Sequence, residues 1–115
     1  ADTSHFYALI FLYPGDSYYP VLITYSKNGE IISEENLLAN GCSPDCGLKR
    51  YSINCKINPN FTIMSSDTSI WEYRCDSLGQ PILNSAFTWI DTKVGKVDSE
   101  GKIQLSQTTR QEIKN

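Results

Sequence analysis

The chain has 115 residues, of which 40% are hydrophobic and 11% aromatic, and its formal net charge is −3. That length fits one domain, and so much apolar content with so little net charge excludes global disorder. Like-signed runs go no further than the pairs Glu34–Glu35 and Lys49–Arg50, so no basic stripe follows a phosphate backbone and nucleic acid is not an expected partner.

Taken in chain order, the pattern is one of strands. His5-Phe-Tyr-Ala-Leu-Ile-Phe-Leu-Tyr13 is apolar on both faces and reads as a central strand covered on both sides. It is far shorter than the ~18–20 residues that span a bilayer, and no other apolar run comes closer. His5, the only histidine, falls at the mouth of this strand as a surface residue. Tyr13-Pro-Gly-Asp-Ser-Tyr-Tyr-Pro20 then holds three tyrosines between prolines. Tyrosines on a stiffened loop make rigid amphipathic contact area, so Tyr13, Asp16, Tyr18 and Tyr19 are the candidate binding residues, for a protein or a glycan.

Val21–Tyr25 is a second strand, and Asn28-Gly29 marks a hairpin after it. Ser33–Ala39 has the makings of a helical turn or two. Tyr51–Ile57 alternates cleanly, with Tyr51, Ile53, Cys55 and Ile57 on one face. Phe61–Ile63 is a short strand piece, and Ile70–Cys75 puts Trp71, Tyr73 and Cys75 in phase, as core positions. Pro81–Leu83 and Ala86–Ile90 continue the pattern, with Trp89 in a core phase. Asp76-Ser-Leu-Gly79 and Asp98-Ser-Glu-Gly101 are hairpin turns, an Asp that bonds its own turn and a Gly that takes φ > 0. Thr109 and Glu112 have capping-box spacing, so residues 107–115 read as a short helix or a frayed tail. The expectation is a single all-β domain over 1–115, disulfide-stapled, of about seven to eight short strands. It is either a mostly antiparallel sandwich or a bent meander.

The four cysteines, Cys42, Cys46, Cys55 and Cys75, have C-x3-C-x8-C-x19-C spacing. Zinc would need a second short knuckle, and a redox pair would need C-x-x-C at a helix start. Disulfides are the remaining reading. Cys55 and Cys75 both point to the core in the strand phase, and Cys42 and Cys46 share a Pro/Gly loop. The preferred pairing is therefore Cys42–Cys46 with Cys55–Cys75, over combinations that join Cys55 to Cys46 or Cys42.

No P-loop, GxGxxG or GxSxG occurs, and no spacing draws carboxylates into a pair. No catalytic residue, metal ligand or cofactor is predicted. Asn60-Phe-Thr62 is an N-glycosylation sequon, meaningful in a secreting eukaryote. The start on Ala-Asp-Thr-Ser is what a removed signal peptide or a trimmed chain leaves; the cysteines point to export, with which a removed lipid anchor is compatible. The strand–turn texture resembles small exported bacterial β domains, including lipoprotein ectodomains. With no catalytic constellation in the sequence, the predicted function is a non-catalytic exported binding or surface domain: secreted, periplasmic or a lipoprotein ectodomain, and monomeric. The alternatives are an inhibitor or immunity protein for an exported enzyme, and a hydrolase built on dispersed carboxylates such as Asp16, Asp67 and Asp91.

Overall fold

The computed structural model describes residues 5–15, 18–41 and 45–115. In chain order its strands are β1 (Phe6–Tyr13), β2 (Tyr19–Ser26), β3 (Ile31–Asn36), β4 (Leu48–Ile57), β5 (Thr62–Trp71), β6 (Arg74–Cys75), β7 (Pro81–Ile82), β8 (Phe87–Val97), β9 (Ile103–Leu105) and β10 (Thr109–Lys114). One sheet has the order β1-β2-β3. The other runs β10-β8-β5-β4, with β9 also paired to β8, and β6-β7 is a separate small ribbon. All pairings are antiparallel. The fold is all-β, and it resolves the choice between architectures as two packed sheets.

The sheets meet over Phe6, Leu22, Leu37, Ile63, Val97 and Ile103. Leu37 lies just past the end of β3, and the others come from the inward phase of their strands, as period-2 geometry requires. Phe61, at the β4–β5 turn with φ 63°, packs its ring 5.3 Å from that of Phe6 at a tilt of 49° and helps close this end. The hairpin turns form as predicted. Gly29 N–H donates to Ser26 O, Gly79 N–H to Asp76 O and Gly101 N–H to Asp98 O. Asp76 Oδ1 and Asp98 Oδ1 each accept two further backbone N–H bonds within their own turns.

Several expectations are corrected. β1 is an edge strand, not a central one, and residues Leu9 to Tyr13 are 36–64% exposed. Ser33–Ala39 is not helical: its first part belongs to β3, where pairing with β2 overrides local propensity. The tail is neither helix nor frayed, because β10 pairs with β8 over six residues.

The preferred disulfides are also replaced. Cys46 bonds Cys75, with Cα atoms 6.3 Å apart, which removes both Cys55–Cys75 and Cys42–Cys46. The phase argument assumed one continuous strand from Ile70 to Cys75. Instead β5 ends at Trp71, and the chain bends at Glu72 and Tyr73 before β6. Cys75 therefore leaves the sheet and meets Cys46. Cys55 is paired in register with Ser65, about 20 Å along the strand from Trp71. Its thiol is free and half-buried, and burial raises its pKa. Cys42 lies outside the described residues.

Candidate functional site

The three-stranded sheet covers one end of the five-stranded sheet. Further along the same inward face, the apolar phase turns polar. Ser65, Asp67 and Ser69 occupy the inward positions of β5, all at least 95% buried. Opposite them on β8 stand Lys93, Asp91 and Trp89. Ile53, Asp67, Asp91 and Arg110 form one in-register row across β4, β5, β8 and β10, and Tyr51, Ser69, Trp89 and Glu112 form the next.

Two buried carboxylates directly across a strand pair would repel, and each must be compensated to be buried at all. Asp91 is held by a two-pronged fork from Arg110, Nε to Oδ1 at 2.7 Å and Nη2 to Oδ2 at 3.0 Å, and Asn40 Nδ2 adds a bond to Oδ2 at 3.3 Å. Asp67 is held by neutral donors. Its Oδ2 accepts the backbone N–H groups of Asn40 (3.0 Å) and Gly41 (3.1 Å) and the Tyr51 hydroxyl (3.0 Å). Asp67 thereby fixes the chain that leaves β3. Lys93 Nζ bonds Leu38 O at 3.2 Å, and the Thr108 hydroxyl donates to Ala39 O, holding the same segment from its other side. The Cys46–Cys75 disulfide pins this connection at its far end. Gly47 completes the seam: a Cβ there would fall 2.2 Å from Tyr73 O, and its φ is +86°.

Aromatic rings flank the polar rows. Trp71 stacks on Phe87 at 5.5 Å, and Trp89 meets both edge-on. Arg110 lies 3.9 Å over the Trp89 ring, and Arg74 lies 3.9 Å over Phe87. Glu112 ties the group together, pairing with Arg74 and accepting the Trp89 indole N–H at 2.9 Å. These two hydrogen bonds, Arg74's first, hold the Glu112 carboxyl below the usual 4.5.

Between the segment at Asn40, Gly41 and Asp45 and the sheet lies a cleft of about 260 Å³, walled by Tyr51, Ser69, Trp71, Trp89, Asp91 and Arg110. Two buried polar atoms beside it, Trp71 Nε1 and Asp67 Oδ1, have no hydrogen-bond partner among the described residues. Leaving such a buried polar atom unpaired costs about 1–3 kcal/mol.

A second surface lies on the outer face of the three-stranded sheet. Tyr7, Leu9, Phe11 and Tyr13 of β1 pair with Tyr25, Ile23, Val21 and Tyr19 of β2, all in the phase opposite to the core residues Phe6 and Leu22. The β1 residues are 36–50% exposed, while Val21 and Ile23 beneath them are 4% exposed. Lys27 sits 3.9 Å over the Tyr7 ring, and the Tyr13 hydroxyl donates to Glu34 at 3.4 Å.

The predicted binding residues thus separate. Tyr13 and Tyr19 share this outer face, with rings 6.0 Å apart. Tyr18, 68% exposed, instead borders an apolar groove of about 300 Å³ with Ile10, Leu12, Pro20, Ile53 and Cys55. Asp16 lies outside the described residues. His5 is exposed, as expected, and Asn60 is exposed in the β4–β5 turn. Trp71 is buried, whereas Tyr73 and Trp89 are half-buried. Asp67 and Asp91 are brought together, but Asn40, Tyr51 and Arg110 were not anticipated. A signal for them exists in Ile63-x-Ser-x-Asp-x-Ser-x-Trp71, where polar residues occupy an apolar phase.

No family model, curated protein or solved structure matches the chain. Among the described residues, no group of three or more histidine, cysteine or carboxylate side chains is placed to hold a metal. No helix is long and apolar enough to cross a membrane.

Proposed function

We propose that the chain is a non-catalytic, extracytoplasmic binding domain that acts as a monomer and contacts a protein partner through the outer face of the β1–β2–β3 sheet. The observation that carries this reading is the row Tyr7, Leu9, Phe11 and Tyr13, exposed on a floor of buried Val21 and Ile23. Scattered exposed apolar residues are ordinary, but a contiguous aromatic face is a mark of interaction surfaces. Tyrosines on paired strands add contact area at little entropic cost, because the scaffold already orders them. The face is broad and largely apolar, with Lys27 and Glu34 at its margins, which suits a protein surface better than a sugar. The Cys46–Cys75 disulfide fits an oxidising compartment.

The test compares immobilised wild type with Leu9→Ser/Phe11→Ser for retention of proteins from the source's exported fraction. Leu9 and Phe11 are 50% and 38% exposed, and a circular-dichroism spectrum matching wild type verifies that the variant keeps its fold. A discrete species held by wild type and reduced at least about tenfold by the variant is the expected result. A species retained equally by both contradicts it. The hydrolase reading is kept second by one observation, Asp67 facing Asp91. Both carboxylates are already engaged by protein donors, which favours binding over chemistry.

A further inference from the structure

β1 ends the three-stranded sheet, and no described strand lies along its other side. In an antiparallel pair every second residue turns its N–H and C=O away from the neighbour. β1 therefore presents a row of backbone donors and acceptors that β2 does not use. We propose that an extended segment of the partner protein adds to this edge as a further strand, and fills the groove between β1 and β4 with its alternate side chains. The proposal rests on the β1–β2–β3 sheet being the contact surface, and it states how that contact is made.

The first ground is what the other edges have and β1 lacks. Exposed edges are blunted by charge, proline, a bulge or shortness. β3 carries Glu34 and Glu35, β4 carries Arg50 and Lys56, β10 carries Arg110 and Lys114, and β9 is three residues long. β1 has eight residues with no charge and no proline, and its register with β2 runs without a bulge.

The second ground is an unfinished core at this seam. Ile10 and Leu22 are cross-strand partners in the inward phase, yet Leu22 is 1% exposed and Ile10 is 52% exposed. Leu12, next in the same phase, is 64% exposed. Across the groove of about 300 Å³ stand Ile53 and Cys55, inward residues of β4, which is itself the edge of the five-stranded sheet. Both sheets thus end at one lateral opening. Side chains on one face of a strand recur about every 6.8 Å, the repeat that also separates Ile10 from Leu12, so two successive side chains of an added strand enter the groove.

The third ground is charge, which selects the occupant. Ile10, Leu12, Ile53 and Cys55 are uncharged, so the residues that enter beside them are apolar. The β4 lip bears Arg50 and Lys56, both exposed, and this favours a segment with carboxylates at its ends. A second copy of this chain fits less well. Two-fold pairing of β1 with itself would bring two cationic β4 lips to the same seam. The occupant is an extended, apolar-alternating, acidic-ended peptide segment, taken by strand addition.

The test titrates the ¹⁵N-labelled full chain with a synthetic peptide of alternating threonine and valine between two aspartates. The expected result is saturable movement of the β1 amides and of the Ile53 and Cys55 amides. N-methylation of one alternate set of peptide amides should weaken binding about tenfold or more, and of the other set leave it unchanged, because only one set faces β1. A peptide with lysine ends should bind more weakly than one with aspartate ends. Leu12→Lys, its fold read from the remaining amide spectrum, should weaken the peptide about tenfold or more, since it sets a charge in an apolar groove. Unmoved β1 amides, equal effects of the two methylated sets, lysine ends that bind as tightly, or undiminished binding to a folded Leu12→Lys would each overturn the proposal. So would a dimer of the unliganded chain in sedimentation that Leu12→Lys makes monomeric, since a second copy would then be the occupant. In the retention assay, a species lost by Leu9→Ser/Phe11→Ser but kept by Leu12→Lys overturns strand addition and leaves the face as the contact surface. Peptide binding as described, with retention unaffected by Leu9→Ser/Phe11→Ser, upholds strand addition and contradicts the face.

Discussion

Asp67 shows how one side chain sets local architecture. It is 98% buried, and two backbone N–H groups and a phenol are directed at one of its oxygens. Asp67→Ala would strand those three donors at once. A loss of about 3 kcal/mol is expected by urea denaturation, with the Asn40 and Gly41 amides losing exchange protection. A change below about 0.5 kcal/mol would remove Asp67 from this role. Glu112 is the acid-sensitive residue of the cluster. Its folded pKa lies below the ordinary 4.5, so its contribution is full above that value and is lost as pH falls through the lower folded value. The stability difference between wild type and Glu112→Gln should hold steady from neutral pH down to about pH 5 and shrink toward about pH 3. A difference that grows on acidification would refute the assignment.

At the scale of elements, β4 and the three hairpin turns are legible because each carries its own signal. Tyr51, Ile53, Cys55 and Ile57 alternate, and Asn28-Gly29, Asp76-x-x-Gly79 and Asp98-x-x-Gly101 demand turns. β5 is half hidden, because its inward positions Ser65, Asp67 and Ser69 serve as anchors and break the apolar phase by which strands are recognised. β1 shows a different gap: periodicity reports which residues share a face, but not whether anything covers that face. The tail misleads because Glu112 has capping-box spacing, yet its carboxylate reaches Arg74 and Trp89 across the sheet. The cysteine pairing fails for want of one bend, at Glu72 and Tyr73. That bend gives the disulfide its function here, since it joins the connection between β3 and β4 to the ribbon β6–β7. With the bonded cysteines 29 positions apart in the sequence, its loss should cost about 3.5 kcal/mol in the chain-entropy account. Denaturation of Cys75→Ser against wild type measures this. A variant as stable as wild type would contradict the bond.

The whole molecule is long and narrow, 56 × 24 × 18 Å, because the two sheets overlap over only part of their length. The apolar core fills the overlap. Beyond it, the five-stranded sheet is closed by the pinned segment and the polar rows, leaving the cleft. On the other side of the core, no described element covers the three-stranded sheet, and its tyrosine face stays open. The candidate site was thus only partly legible: Tyr13 and Tyr19 were visible as contact residues, but the surface that unites them with Tyr7, Leu9 and Phe11 exists only once β1 and β2 are paired. The most direct measurement of the central claim places a photo-crosslinking benzoylphenylalanine at Phe11 on that face, or at Met64, which is 53% exposed on the outer face of the other sheet. In the native exported fraction, the probe at Phe11 should yield a discrete protein adduct that the probe at Met64 does not. Equal adducts from both positions, or none from Phe11, would contradict the assignment of this face as the contact surface.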